Sequence, residues 1–495
     1  MDDMLKSTKE NVLIFGVGQY LYEIIDYIVR DYNILAVVDN DSCKVGNFVI
    51  CSDKKIPIIS PSSIGKYEFD KIIVTLYFCS YQYAVYQQLL SLNIPSKKIY
   101  GWGNGKPFEY PLVNGIMKNN TWGRFFFDVS LVSVRDVGTG VQRVTNNLYR
   151  NLFTLLNDSL VPIRWFGELI TAEAYRRNVI GTSFNGTERR VELTAHDKLI
   201  LADLSLMEID YFLQEAILNG TETYTIVYDL LPLSISTTFS DGYSKNFLSW
   251  LECALSKSDH VLCISRTVAD DVIAFYRKHE IKRTKQLNVH YFHLGFNIPA
   301  PRGKVRPEIK DFVQRKNVFL MVGTIEPRKN HVLAIQALRR IWQNGEPEVH
   351  LLIIGRDGWK NEAFKSIIEE HDVSEHVLWI SNASDAELSW AYQNTMALLY
   401  PSKNEGYGLP IVEAAYYQLP IICSGIPILH ELSGDNVTYF KVDSIDSLTQ
   451  TIETWLKEKN HPDVGKIKLY SWQDSAREVF NIVRGQANPY MVLSP

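Results

Sequence analysis

Short apolar runs of four to seven residues alternate along this chain with longer stretches whose apolar positions recur at helical spacing. Buried parallel strands read as nearly continuous apolar runs and their crossover helices carry a 3.6-residue period, so the alternation predicts α/β units from end to end. Three series are visible. The first has runs at 11–16 (NVLIFG), 34–39 (ILAVVD) and 71–76 (KIIVTL), a helical stretch at 83–92, and a close near 104. Residues 103–123 (GNGKPFEYPLVNGIMKNNTWG) are rich in Gly, Pro and Asn without periodicity and are expected to be connecting chain. The second series runs through 124–131 (RFFFDVSL), 198–202, 224–230, 260–264 and 289–294. Residues 299–310 (PAPRGKVRPEIK), with three prolines among basic residues, are expected to be an exposed crossover. The third series has runs at 317–323 (NVFLMVG), 349–355 (VHLLIIG), 376–380, 397–400 and 420–424. Near the end, Trp472, Ala476, Val479 and Phe480 stand at helical spacing. The expected division is 1–105, a linker at 106–122, 123–300, a second linker at 301–314, 315–470, and a terminal helix at 471–495.

Composition narrows the class. At about 150 residues per domain, 495 residues fit three doubly wound modules. Apolar residues at 46% and charged residues at 22% are ordinary for a folded soluble protein. A net charge of −5 lacks the basic excess of a nucleic-acid binder, so an anionic ligand must be held by local groups. The six cysteines are scattered with no CxxC pair, which suggests neither a zinc knuckle nor a disulfide framework, but small core residues in a reducing compartment. The start, MDDMLKSTKENVLIF, has acidic residues where a signal peptide needs basic ones. No apolar run approaches the roughly 18 residues of a membrane span. A cytoplasmic location is expected, with peripheral contact at the inner face of the membrane left open.

Two segments carry chemistry. In 401–415 (PSKNEGYGLPIVEAA), Glu405 and Glu413 are seven residues apart, with GYGLP opening a helix expected from about Leu409 or Pro410 to Gln418. Proline suits a first helical turn, and glycines just before a helix let a phosphate approach its free N–H groups. Glu413 is then expected in the first turn and Glu405 in the loop across from it. Carboxylates accept hydrogen bonds from hydroxyls, so the ligand carries both a diphosphate and a hydroxyl-rich sugar. In 318–331 (VFLMVGTIEPRKNH), a strand ends at Gly323 and turns through Pro327 into Arg328 and Lys329. Cations past the carboxyl end of a parallel strand lie where α/β sheets bind ligands. Arg328 can grip phosphate oxygens in bidentate fashion, and Lys329 can act as a point charge.

Together these segments resemble the retaining GT-B glycosyltransferases, family 4, in which Glu-x7-Glu and a phosphate-binding Arg/Lys recur. Further matching pieces are GTGVQRV (138–144), VYDLLPL (227–233), CISRTVADDV (263–272), LGFN (294–297), IIGRDGW (353–359) and SNASDAELSWAY (381–392). The resemblance implies two Rossmann-like modules forming a GT-B fold, 123–300 for the acceptor and 315–470 for the nucleotide-sugar donor, with the terminal helix crossing back to the acceptor module. By position, Arg328, Lys329, Glu405 and Asp229 would be catalytic, the cations neutralising the departing diphosphate and Glu405 contacting the donor sugar. Glu413 would bind ribose hydroxyls, with Tyr407, Gly408 and Leu409 completing the cradle. Gly323 and Thr324 would stand at the strand end, and Ile380, between Trp379 and Ser381, at the base. Gly138, Thr139, Gly140 and Arg143 would face the donor from the other module. The implied reaction is front-face hexosyl transfer that needs no metal and no cofactor beyond the nucleotide sugar. GDP-mannose is mildly preferred over a dTDP- or UDP-sugar. The acceptor would be a glycan, with a polyprenyl-diphosphate-linked one in view, in O-antigen or capsule biosynthesis, and other polysaccharide-assembly enzymes would be conceivable partners. Two departures stand out: Tyr228 where many relatives have His, and Thr324 where many carry a first phosphate-binding Arg. His293 and His430 are candidate polar contacts only.

The leading module has FGVGQYLYE at 15–23, with Gly16 and Gly18 but Leu21 where a dinucleotide fingerprint wants a third glycine, and Asp39 about twenty residues on. With VVDNDSCKVGNF and YEFDKIIVT it resembles Rossmann-like modules of polysaccharide-biosynthesis sugar-nucleotide enzymes. Two alternatives follow: an NAD-dependent sugar-nucleotide oxidoreductase or epimerase working through this module, and a catalytically inactive GT-B scaffold. The missing glycine and the absence of a Tyr-x-x-x-Lys pair weigh against the first. Intact Glu405, Glu413, Arg328 and Lys329 weigh against the second.

Overall fold

The computed structural model describes residues 9–51, 54–103, 105–117, 123–136, 138–183, 186–234, 241–297, 303–345 and 348–495. The chain divides into two compact units, residues 1–225 with 257–259, and residues 226–256 with 260–495.

The first unit opens with β1 (Asn11–Phe15), β2 (Asn33–Val38), β3 (Phe48–Cys51), β4 (Lys54–Ile59), β5 (Lys71–Val74), β6 (Ile99–Gly103) and β7 (Lys106–Glu109), in the order β3-β4-β2-β1-β5-β6-β7. Successive strand residues point to opposite faces. Val12 and Ile14 therefore pack with Ile24 and Ile28 of helix Gln19–Asp31, while Leu13 and Phe15 pack with Val85 and Leu89 of helix Cys79–Ser91. Apolar residues on both faces are what a doubly wound sheet requires. Asp39, directly after β2, is buried and accepts hydrogen bonds from Val17 N at 2.6 Å and Asp41 N at 2.8 Å.

The Gly- and Pro-rich segment after residue 103 is more ordered than its composition suggests. β7 pairs antiparallel with β6, and β8 (Leu112–Ile116) pairs in parallel with β12 (Thr187–Arg190). A strand whose partner lies some seventy residues on gives no local signal. The same unit holds β9 (Phe125–Asp128), β10 (Leu160–Trp165), β11 (Leu169–Thr171), β13 (Lys198–Leu201) and β14 (Glu222–Val227), in the order β8-β12-β11-β10-β9-β13-β14. The division between units falls inside β14.

In the second unit, β15 (His260–Cys263) pairs in parallel with β16 (Leu287–Tyr291), and β16 pairs antiparallel with β23 (Met491–Leu493). Helix Trp472–Val483 packs beside this strand end: Ser475 Oγ donates to the His293 carbonyl, and His293 N donates to Glu478 at 2.7 Å. An all-parallel sheet follows, built of β17 (Val318–Val322), β18 (His350–Ile354), β19 (Val377–Ile380), β20 (Ala397–Tyr400), β21 (Ile421–Ser424) and β22 (Thr438–Phe440). Its order is β19-β18-β17-β20-β21-β22. Chain order runs outward in both directions from β17 and β20, which makes the gap between them the topological switch point. The crevice beyond the carboxyl ends of those two strands is where such sheets bind ligands.

The other expected elements fall close to their places. The segment expected as an exposed crossover becomes helical at Pro307–Val313, with Arg306 N bonded to Glu387 at 3.2 Å; residues 298–302 lie outside the described residues. Among the cysteines, Cys51, Cys79, Cys263 and Cys423 are buried, whereas Cys43 is exposed. Among the described residues, no helix is long and apolar enough to cross a membrane.

Candidate functional site

The switch point of the second unit collects the charged side chains. Past β17, Gly323 takes φ +143°, and a Cβ there would stand 3.3 Å from Lys329 Cε, so the lysine stem lies over a position open to glycine. Glu326 is extended, Pro327 opens a 3-10 turn, Pro327–Lys329, and Asn330 at φ 60° leads into helix His331–Gln343. From the neighbouring strand, β20 ends at Tyr400 and is followed by the loop carrying Glu405.

The two loops meet through charge. Lys329 Nζ donates to Glu405 Oε1 at 2.6 Å and to Tyr400 Oη at 2.9 Å. Arg328 Nη1 donates to Glu405 Oε2 at 2.7 Å, while Arg328 Nη2 lies 2.7 Å from Glu326 Oε1. Backbone bonds fix the approach: Lys403 N donates to the Arg328 carbonyl at 2.8 Å, and Arg328 Nη1 reaches the Asn404 carbonyl at 3.3 Å. Lys329, Glu405 and Glu326 are all buried. Burial pushes the Glu405 carboxyl up, yet the Arg328 and Lys329 charges more than offset it and hold the group at about 2. Burial draws the Lys329 ammonium below its ordinary value, against the pull of Glu405. Glu326 is raised by burial, with Arg328 and Lys329 opposing.

Glu405 lies in the loop before the helix, as expected, and is paired there with both cations. Glu405 is their shared counter-ion, because two cations leaving the sheet at one strand end must be neutralised before they can be buried. Glu326 and Tyr400 escaped the sequence reading. Glu326 lies within the quoted strand-turn segment, but a glutamate beside Pro-Arg-Lys reads as one more solvated charge until β17 and β20 are placed side by side.

Asp229, following β14, lines a cavity of about 410 Å³ with Leu231, Ser234, Phe275, Asn404 and Glu405. Burial raises the Asp229 carboxyl above its ordinary value, while Leu231 N–H and Arg328 oppose the shift. The helix after Glu405 runs Leu409–Tyr416, two residues shorter at its end than expected, with Gly408 at φ +105° before it and Pro410 in its first turn. Glu413 therefore sits one residue past the first turn, where it accepts a hydrogen bond from Tyr392 Oη at 2.8 Å. Tyr407 Oη donates to the Leu294 carbonyl at 3.1 Å. At the far strand ends, the Ile380 carbonyl accepts from Gly355 N at 3.0 Å, the Trp379 indole donates to the Gly355 carbonyl at 2.8 Å, and Thr324 is partly exposed. His430 stacks on Tyr439, 3.9 Å between ring centroids, and His293 stacks on Tyr470.

Gly138, Thr139, Gly140 and Arg143 belong to the first unit. They are exposed where helix Gly140–Leu156 begins, with Thr139 and Gln142 forming a capping box. Arg328, Lys329, Glu405 and Asp229 gather at one strand-end crevice of the second unit, while Gly323, Thr324, Ile380, Tyr407, Gly408, Leu409 and Glu413 stand on the strand ends and the loop-helix around it.

A parallel sheet whose switch point carries the buried Lys329 and the partly buried Arg328 beside an acidic loop is the frame of a doubly wound α/β domain. Residues 305–468 of it match the family described as Glycosyl transferases group 1, and residues 8–100 match C2185-like, N-terminal. The chain is 29% identical over 378 residues to the serotype-specific mannosyltransferase WbdA of Escherichia coli, covering 71% of this chain and 44% of that protein. It is 26% identical over 231 residues to the O-antigen chain mannosyltransferase RfbU of Salmonella typhimurium, covering 46% of this chain and 59% of that one. The chain thus spans less than half the length of the WbdA relative. Among solved structures, HepE of Anabaena in complex with UDP is similar with a TM-score of 0.49 at 13% identity, over 73% of this chain and 95% of that one.

Proposed function

We propose that this protein is a retaining glycosyltransferase that moves a hexose from a nucleotide sugar onto a glycan in bacterial surface polysaccharide biosynthesis, of the O-antigen or capsule kind. The observation that carries the reading is the cation pair Arg328 and Lys329 at the switch point, within hydrogen-bonding reach of Glu405. When the bond from sugar to phosphate breaks, negative charge grows on the diphosphate, and fixed cations beside it stabilise that charge without reorganising. Arg328 and Lys329 meet the leaving diphosphate. Glu405, drawn from them, accepts hydrogen bonds from the donor sugar, and Glu413 accepts them from the ribose. The departing phosphate oxygen takes the proton of the attacking acceptor hydroxyl, so the step needs no protein nucleophile and no metal. Asp229 lines a cavity together with Glu405.

GDP-mannose is the preferred donor, because WbdA and RfbU, to which the chain is similar, are mannosyltransferases; dTDP- and UDP-sugars are the other donors to include. The acceptor is a glycan, with a polyprenyl-diphosphate-linked chain presented at the inner face of the membrane as the first form to assay. The leading module is an accessory domain and not the seat of a dinucleotide oxidoreductase, since Leu21 stands where the fingerprint needs a third glycine. Equilibrium titration with GDP-mannose, dTDP-sugars and UDP-sugars, followed by slow donor hydrolysis, tests the reading. Binding of one of them, lost in Lys329→Ala and weakened in Glu413→Ala, is expected; failure of every donor to bind sinks it.

A further inference from the structure

Within the first unit, the leading module grips the chain just ahead of helix Gly140–Leu156. The Arg135 guanidinium lies over the Tyr20 ring at 4.4 Å and the Tyr77 ring at 5.5 Å, and its Nη2 is 3.1 Å from Glu23 Oε2. Tyr20 and Glu23 follow β1 and Tyr77 follows β5, the two strands at which the order of the leading sheet reverses. Arg135 thus docks beside the place where a doubly wound sheet takes its ligand. The residue before it is pressed as close: a Cβ on Gly103, the last residue of β6, would stand 2.0 Å from the Val134 carbonyl oxygen.

The Arg135 backbone passes this grip on. Its carbonyl accepts a hydrogen bond from Gln142 Nε2, and Gln142 Oε1 accepts one from Thr139 N at 3.2 Å. Thr139 belongs to the exposed stretch 138–140, past the carboxyl end of β9, and strand order in this part of the unit reverses between β9 and β13. Gly140 does not take a positive φ, and a Cβ there would meet nothing within 4 Å. Packing therefore does not require a glycine at this position, whereas a ligand approaching the backbone would use the room. The two modules are also joined by an apolar cluster that includes Tyr83, Tyr110, Phe166 and Ile170, so Arg135 is not needed to hold them together.

We propose that Arg135 is a positioning residue: docked on the leading module, it sets residues 138–140 for sugar transfer through Gln142, and this gives the leading module a part in the reaction. The inference rests on the glycosyltransferase reading above and on Gly138, Thr139, Gly140 and Arg143 taking part in donor handling. Arg135 itself touches no ligand. A stretch held only by its own helix cap can shift with the cap; tied also to Tyr20, Glu23 and Tyr77, it keeps one geometry. Misplacement by about 1 Å at a reacting centre can cost about a hundredfold in rate.

The test is steady-state turnover of GDP-mannose, dTDP-sugars and UDP-sugars by the full chain, with donor titration and a melting curve, in the unaltered protein and in Arg135→Ala, Arg135→Lys, Glu23→Gln and Tyr77→Leu. Arg135→Ala is expected to lower kcat about tenfold, as displacement by a fraction of an ångström implies. Donor affinity, carried by Arg328 and Lys329, and the melting temperature should change little. Glu23→Gln and Tyr77→Leu, both in the leading module, should lower kcat in the same direction by less. Arg135→Lys keeps a charge for the rings and Glu23 and should recover part of the rate. Acting through one contact, Arg135→Ala combined with Tyr77→Leu should lose no more than Arg135→Ala alone. Full turnover by folded Arg135→Ala overturns the proposal, as do equal losses in Arg135→Lys or fully additive losses in the double variant. Should Arg135→Ala fail to fold, unchanged kcat in Tyr77→Leu and Glu23→Gln overturns it. An unaltered chain that turns over no donor overturns the glycosyltransferase reading and this inference with it.

Discussion

Glu405 is the residue on which the site's electrostatics turn, because it is paired with both the buried Lys329 and the partly buried Arg328. Removing one partner of a buried ion pair costs about 3–5 kcal/mol by leaving a charge uncompensated, so Glu405→Ala is expected to lower stability by that order, read from urea unfolding. The pH dependence has a definite sign. With a folded value held at about 2 against an ordinary value of about 4.3, Glu405 contributes its full stabilisation above the ordinary value and loses it as the pH falls toward 2. The unfolding midpoint should drop through that acid window, and more shallowly in Glu405→Gln. At this scale the sequence was a partial guide. Arg328, Lys329 and Glu405 could be named because their distance from a strand end is countable, and Glu413 because a helix start is countable. That Glu405 binds the cations, and that Glu326 joins them, depends on two strands separated by some eighty residues becoming neighbours.

Among the elements, the strand-end turn after β17 sets the cation geometry. Gly323→Ala would force a side chain into φ +143° with its Cβ 3.3 Å from Lys329 Cε. A strained residue of this kind costs about 1–3 kcal/mol, and the displaced lysine should weaken nucleotide-sugar binding in the same variant, measured by titration alongside a melting curve. In the first unit, Thr139 caps helix Gly140–Leu156 through Gln142; Thr139→Ala should cost about 1 kcal/mol, seen as a lower melting temperature. The strands of both doubly wound sheets were legible because parallel strands buried on two faces are apolar throughout. β7 and β8 were not, because Pro107, Pro111 and Gly115 mask the pattern and their pairing is set by chain on either side.

Across the whole molecule, both units hold carboxyls raised by burial, whose response to pH is opposite to that of Glu405. In the first, Asp128, Asp203 and Glu208 are buried together, with Ser130 and Ser205 bonded to Asp128 and Ser80 bonded to Glu208. Burial raises all three carboxyls, Asp203 to about 6, and Asp128 further through the Asp203 charge. Native carboxyls raised in this way hold protons that the unfolded chain releases, so their stabilisation is present in acid and is lost as the pH rises through about 6. Asp128→Asn is expected to raise the melting temperature at pH 8 and leave it unchanged at pH 4, by calorimetry; equal shifts at both would contradict the assignment. The division into modules showed in the alternation of runs, whereas this buried acid cluster did not, since Asp128 and Asp203 end apolar strands as many exposed turn residues do. The central claim is that Arg328 and Lys329 stabilise a departing nucleoside diphosphate. Its most direct measurement is steady-state turnover of GDP-mannose, dTDP-sugars and UDP-sugars by the unaltered chain and by folded Arg328→Ala and Lys329→Ala variants. At least one donor turned over, with kcat/KM about a hundredfold lower in each variant, as loss of a fixed charge at the leaving group implies, is the result expected; equal turnover by the variants would contradict it.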